Sequence, residues 1–321
     1  MRNGGVLVIG DGPAGCAAAI AAARAGGAVT MVGAGRMRAV PECASAGALR
    51  LLDAISPAFA TRSHIWLDHA WPDATVITQR ARAVDRAQLD RGLREAAVRA
   101  GADYQVMPAS TLRPRVAGDR VTGVEGMSGG GLAAGAYVVI DASGVNGWLR
   151  RTLGLPEGID SGAWWLQRGF GVLAGGQASA PGTQFVIGAN GWLWRYATPQ
   201  GCIWTALCST RDASVAWPPG MRPVGRIWRE CRRWRHLRQA AGAGYFVCGD
   251  AAGYLDPATG DGLRFALESG ARAGALAAGV VRWPQRSSLA AALYADWVLQ
   301  TYLTSRAALR EVYARAHLAV R

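Results

Sequence analysis

The chain of 321 residues contains no lysine; all 35 of its basic residues are arginines, set against 22 acidic residues for a formal charge of +13. Together with heavy use of alanine and glycine, an arginine-only charge reads as genomic composition bias, so basicity by itself does not name a polyanionic partner. It still gives the surface a positive field that favours acidic substrates, carrier proteins or phosphates. Cysteine is sparse and unpatterned: Cys16, Cys43, Cys202, Cys208, Cys231 and Cys248 form no C-x-x-C pair, which excludes a zinc ribbon and a secreted disulfide framework. The four histidines lack metal-ligand spacing, His64 and His69 being five apart and off a common helix face, so no metal centre is expected. Long hydrophobic runs are missing too. The most apolar stretch, 14–32, is broken by Arg24 and by Gly26-Gly27, short of the roughly 20 residues a bilayer span needs. No basic segment followed by an apolar core and a cleavage site opens the chain, and a cytoplasmic location is expected. At 50% hydrophobic and 18% charged residues, the chain is too apolar for disorder and long enough for about two domains or one elaborated α/β unit.

What is present begins at once. The apolar run Val6-Leu7-Val8-Ile9 leads into Gly10-Asp11-Gly12-Pro13-Ala14-Gly15, an alanine-rich helical segment, and a second apolar run over 28–32. This is a strand, glycine turn, helix and strand. Gly10 permits the tight turn, Gly12 lets backbone approach a pyrophosphate, Gly15 lets the helix pack on the strand, and the helix N–H groups beside Pro13 and Ala14 aim at phosphates. One part of the pattern is missing: the second strand ends in Gly33-Ala34-Gly35, where an acidic residue usually bonds the adenosine ribose. The ribose contact must come from elsewhere. Arg36 and Arg38 follow closely, either as forked donors to phosphate oxygens or as solvated loop residues.

Two more strand-to-glycine turns follow. Tyr137-Val138-Val139-Ile140 runs into Asp141-Ala142-Ser143-Gly144, and Tyr245-Phe246-Val247-Cys248 runs into Gly249-Asp250-Ala251-Ala252-Gly253, then Asp256-Pro257-Ala258-Thr259-Gly260-Asp261-Gly262 and a long helical stretch. With these three turns the chain resembles the FAD-dependent monooxygenases of the para-hydroxybenzoate hydroxylase fold and their relatives, the geranylgeranyl reductases and flavin halogenases. The resemblance implies a discontinuous FAD-binding domain over 1–150 and 240–321, Rossmann-like and α/β, with an antiparallel-sheet substrate region inserted over 151–239. It also implies roles. Gly10, Gly12 and Gly15 would hold the FAD diphosphate, Asp141 would lie beside it, Gly249-Asp250 would place a carboxylate on the ribityl chain, and the turn through Pro257, Gly260 and Gly262 would present N–H groups to the flavin N1 and O2 edge. Arg86, in Val84-Asp85-Arg86-Ala87-Gln88-Leu89-Asp90, matches the family's arginine where a helix starts beside the FAD.

Within the superfamily the lack of lysine counts, because flavin halogenases depend on an active-site lysine. The segment 36–52, with Glu42 before a short helix, and the tail from Leu293 through Tyr302, Arg306 and Tyr313 look like the flavoprotein maturases that modify tryptophan in quinone-cofactor enzymes. Cys43 matches a cysteine near the flavin of the geranylgeranyl reductases, and the strand Gly191-Trp192-Leu193-Trp194 before Pro199 is shared in some form by both subfamilies. Trp192, Trp194 and Cys43 are therefore the candidates nearest flavin and substrate.

Nine of the thirteen tryptophans fall within 148–234, where this fold inserts its substrate sheet. Alternating runs such as 184–187 and 202–207 predict antiparallel strands. Arg222, Arg226, Arg229 and Arg233 are spaced for one helix stripe, which fits a solvated face, a dock for an acidic protein, peptide or carrier, or a nucleic-acid surface, the last being disfavoured. The expected activity is hydroxylation of an aromatic group, in a small molecule or a tryptophan-type side chain of a peptide or protein, through a flavin peroxide formed from O2. The alternatives are reduction of isoprenoid double bonds and a flavin-containing RNA- or protein-binding module. No second G-x-G-x-x-G is evident, so NADH or NADPH would reduce the flavin by transient contact, or a separate flavin reductase would do so.

Overall fold

The computed structural model describes residues 5–36, 41–56, 65–70, 76–127, 137–173, 182–198, 201–211 and 221–320. From the amino end run β1 (Gly5–Ile9), α1 (Pro13–Arg24), β2 (Val29–Gly33), β3 (Pro41–Ala44), α2 (Ala46–Ile55), β4 (Ile65–Ala70), β5 (Val76–Asp85), α3 (Arg86–Arg99) and β6 (Ala102–Val106). The middle comprises β7 (Leu112–Ala117), β8 (Arg120–Gly126), β9 (Tyr137–Asp141), α4 (Trp148–Leu153), β10 (Glu157–Ile159), β11 (Trp164–Leu173), β12 (Gly182–Gly188), β13 (Gly191–Thr198), β14 (Gly201–Cys208) and β15 (Met221–Arg232). β16 (Arg235–Leu237), β17 (Ala241–Gly242), β18 (Tyr245–Val247), β19 (Gly253–Tyr254), α5 (Gly262–Arg282) and α6 (Ser287–Arg315) complete the chain.

β1 is buried along its whole length, as a strand covered on both faces must be, and that is why it reads as an unbroken apolar run. It lies at the centre of a six-stranded sheet ordered β17-β18-β9-β1-β2-β6, parallel throughout except for β17. α1 and α5 pack face to face on this sheet. They come close because the contact is built from small residues: a Cβ on Gly270 would stand 2.1 Å from the Ala14 carbonyl oxygen, and one on Gly274 equally near that of Ala18. One apolar cluster joins this sheet to α1, α3 and α5.

The second large sheet has eight strands in the order β15-β11-β14-β13-β12-β4-β5-β3. Its pairings are antiparallel except β12 with β4, and the expected strands at 184–187 and 202–207 are β12 and β14. Two expectations need correction. The sheet is not confined to 151–239, since β3, β4 and β5 from 41–85 complete one side of it. The arginine-rich segment is the edge strand β15, not a helix. Pro223 and Gly225 disfavour a helix there, and pairing with β11 supplies the backbone with partners. Arg222 lies opposite Val172 and Arg229 opposite Gln167, positions of opposite parity, so the two face opposite sides of the sheet. Arg233 follows the end of the strand, and the helical stripe does not exist.

Candidate functional site

The three glycine turns leave the carboxyl ends of β1, β9 and β18, which are neighbours in the parallel sheet, the place where open α/β sheets bind ligands. Gly10 has φ +121°, and a Cβ there would lie 2.2 Å from the Ala142 carbonyl oxygen, so only glycine lets the first turn cross the second. Gly15 is pressed on the Gly10 carbonyl in the same way, at 1.9 Å. Gly12 differs: a Cβ there would meet no atom within 4 Å. The first and third glycines are thus demanded by the protein's own backbone, whereas the second leaves the approach to the α1 N-terminus clear. Pro13 opens that helix, and the Ala14 and Gly15 N–H groups have no carbonyl one turn back to receive them. This cradle fits a dinucleotide diphosphate.

The other turns complete it. Gly249, at φ +59°, brings its Cα so near that a Cβ would be 2.9 Å from the Ala14 methyl, and its N–H donates to Ser269 Oγ at 2.9 Å. Asp250, partly exposed, follows at once, its carbonyl accepting from Arg235 at 2.8 Å. Asp141 is fully buried and accepts from the Ser143 N–H (2.9 Å) and the Leu149 N–H (2.7 Å), folding the turn between β9 and α4. Burial pushes its carboxyl above the ordinary range against the pull of those hydrogen bonds. At Gly144, Gly260 and Gly262 an added Cβ would again meet nothing within 4 Å, so these turns too leave room for a bound group.

Arg86 opens α3 behind its N-cap Asp85 and pairs with Glu42 on β3 at 2.6 Å and with Asp90 at 3.1 Å. Arg86, expected beside the cofactor, and Glu42, the acid before the short helix α2, therefore hold one another. The neighbouring Cys43 thiol is pushed up to about 12, first by burial and then by the Glu42 charge, so it is not a thiolate at neutral pH. Arg36 is exposed, its carbonyl accepting from Arg94; Arg38 lies outside the described residues.

Trp192 and Trp194 lie on β13, and Trp192 is committed to a buried network. Asp256, 2% exposed, accepts from Tyr313 OH (2.7 Å), Trp192 Nε1 (3.3 Å), the Ala258 N–H (3.1 Å) and Trp234 Nε1 (2.7 Å). Trp192 Nε1 also donates to Tyr313 OH at 2.7 Å. Trp194 is half-buried and packs on the same cluster. This carboxylate ties the turn before α5 to the eight-stranded sheet and to α6. In the sequence Asp256 is legible only as part of the turn, because its side-chain donors lie 22 to 64 positions away. It also passed over Asp11, which occupies a variable position of the glycine motif and accepts from the Gly35 N–H (2.9 Å), Tyr104 OH (2.8 Å) and Arg94 (3.2 Å).

Residues 4–102 match the family model described as pyridine nucleotide-disulphide oxidoreductase. No curated protein matches the chain at the sequence level. Among solved structures, the flavin-dependent brominase Bmp2 is similar with a TM-score of 0.76 at 19% identity, over 92% of this chain and 83% of that one. The peptidyl tryptophan dihydroxylase QhpG, essential for tryptophylquinone cofactor biogenesis, is similar with a TM-score of 0.74 at 23% identity, over 97% and 75%. A geranylgeranyl bacteriochlorophyll reductase-like protein from Thermoplasma acidophilum gives 0.72 at 19%, over 97% and 88%. The chain shares the fold of these three solved structures, and no described helix is long and apolar enough to cross a membrane.

Proposed function

We propose that the chain is an FAD-dependent monooxygenase that hydroxylates an aromatic group, in a small molecule or in a tryptophan-type side chain of a peptide or protein. The observation that carries this is the meeting of three glycine turns at the ends of β1, β9 and β18, with the α5 N-terminus near them and the tryptophan-bearing sheet tied through Asp256 to the turn before α5. In this reading residues 1–150 and 240–321 bind FAD and 151–239 form most of the substrate side, with β3 to β5 lending strands.

Bound and reduced, FAD would supply the reactivity toward O2 that the hydroxylation needs. The chain's own residues bind and orient. The α1 N-terminus and Gly12 would receive the diphosphate, and Asp250 would accept from the ribityl hydroxyls. The turn over 257–262, pinned from below by Asp256, would present N–H groups to the flavin edge, where negative charge accumulates on reduction. NADH or NADPH, by transient contact or through a separate reductase, is the proposed source of electrons. The absence of lysine argues against lysine-dependent halogenation. The peptide or acidic-protein substrate is supported by the similarity to QhpG and by the arginines of β15. Six free cysteines agree with a cytoplasmic site of action.

Purified protein should be yellow and release FAD on denaturation; a colourless protein that takes up no added FAD would sink the reading. Aerobic turnover with NADH and NADPH in turn, followed by mass spectrometry of the candidate peptide, should show a gain of oxygen on an aromatic residue. Hydrogen added to a prenyl chain without oxygen incorporation would overturn the hydroxylase assignment.

A further inference from the structure

The second strand of the βαβ unit ends in glycine where an acid usually meets the adenosine ribose. The structure shows why Gly33 has no side chain. A Cβ built there would fall 2.2 Å from Asp11 Cγ and 2.5 Å from Asp11 Oδ1, so the space just past β2 is already filled by a carboxylate from the neighbouring turn. That carboxylate is fixed. Its Oδ2 accepts three hydrogen bonds: from the Gly35 N–H just beyond β2, from Tyr104 OH on β6, and from Arg94 on α3. Its Oδ1 accepts none from the described residues. Asp11 is half-buried, so solvent or a ligand reaches it.

We infer that Asp11 is the ribose acid of this chain: the carboxylate has moved from the end of β2 to the first variable position of the glycine motif and arrives at the same place. Resting on the FAD reading above, the assignment gives Oδ1 one task, to accept from a hydroxyl of the adenosine ribose. Three donors on Oδ2 hold the group in a single orientation before any ligand arrives, so little ordering remains to oppose binding. A fixed anion at this position selects a ribose with free hydroxyls and repels a 2′-phosphate, while Arg94 compensates the carboxylate through its far oxygen.

The test is a titration of flavin-free protein, by quenching of flavin fluorescence, with FAD and with its 2′-deoxyadenosine and 3′-deoxyadenosine analogues. Wild type should bind at least one analogue roughly ten- to hundredfold more weakly than FAD, the value of a hydrogen bond to a charged acceptor. Asp11→Ala should weaken FAD by a similar factor and bind FAD and that analogue alike, with thermal unfolding checking that the variant folds. The swap Asp11→Gly with Gly33→Glu, which returns the acid to β2, should restore the preference for FAD. Equal preference in Asp11→Ala and wild type, or no preference in wild type, overturns the assignment and leaves the cofactor reading standing. Failure of wild type to bind FAD at all overturns both.

Discussion

At the scale of single residues, two side chains differ sharply in what their surroundings do to them. Cys43 is half-buried with its thiol pushed up to about 12, while Cys231 on the edge strand is exposed. Iodoacetamide at pH near 8 should label Cys231 well before Cys43, read by peptide mapping, and Cys43→Ala should leave FAD binding intact. Asp160 is shifted the other way. Burial opposes its charge, but donation from Tyr302, His236 and Arg306 outweighs burial and holds the carboxyl below its ordinary 3.8. The folded state therefore binds fewer protons than the unfolded state between the two values, and stability rises with pH across that window. The stabilisation is full above 3.8 and is lost as pH falls through the folded value. The stability gap between wild type and Asp160→Asn, from urea unfolding, should be widest at neutral pH and close in acid; a gap that stays constant would count against the assignment.

At the scale of elements, the contact between α1 and α5 decides how the motifs meet. α5 begins at Gly262, beside the turn over 257–262, and its Gly270 and Gly274 rest on α1 carbonyls. Adding a methyl group at Gly274 brings it within 2.1 Å of α1 backbone that cannot move without shifting the glycine turn after β1. Gly274→Ala should cost roughly 1–3 kcal/mol of stability and speed FAD release, whereas Gly279→Ala, where nothing lies within 4 Å, should do neither. Flavin release kinetics and denaturant midpoints check both. The edge strand β15 carries the same lesson about context. Arginines spaced for a helix stripe became a strand because Pro223 and Gly225 weaken the helix and β11 offers its backbone partners.

Across the whole molecule, Asp256 is where the parts are joined. Its carboxylate receives donors from β13, from the segment after β15, from α6 and from its own turn. Asp256→Ala leaves Trp234 Nε1 and Tyr313 OH without this acceptor in a buried site, at about 1–3 kcal/mol for each buried group left unpaired. It should lower stability by roughly 3 kcal/mol or more and loosen FAD, because the turn over 257–262 loses its anchor. Asp256→Asn keeps one acceptor oxygen and should fall between. An Asp256→Ala protein with wild-type unfolding and flavin retention would show that the network joins nothing of consequence.

The turns after β1, β9 and β18 were legible in the sequence because each is written in a few contiguous residues: an apolar run, then glycines where positive φ or close approach leaves no alternative. The sequence by itself therefore determined the βαβ unit, the three turns and the α/β class. Tertiary structure alone decided the rest. Asp11 reaches Arg94 across 83 positions and Asp256 reaches Trp192 across 64, and no local spacing encodes which donor a carboxylate will meet. β3, β4 and β5 joined the eight-stranded sheet, and β15 became a strand, for a related reason. Strand pairing and carboxylate burial are satisfied by whatever partner the folded chain brings near, whereas the positive φ of Gly10, Gly144 and Gly249 is a demand of their own backbone.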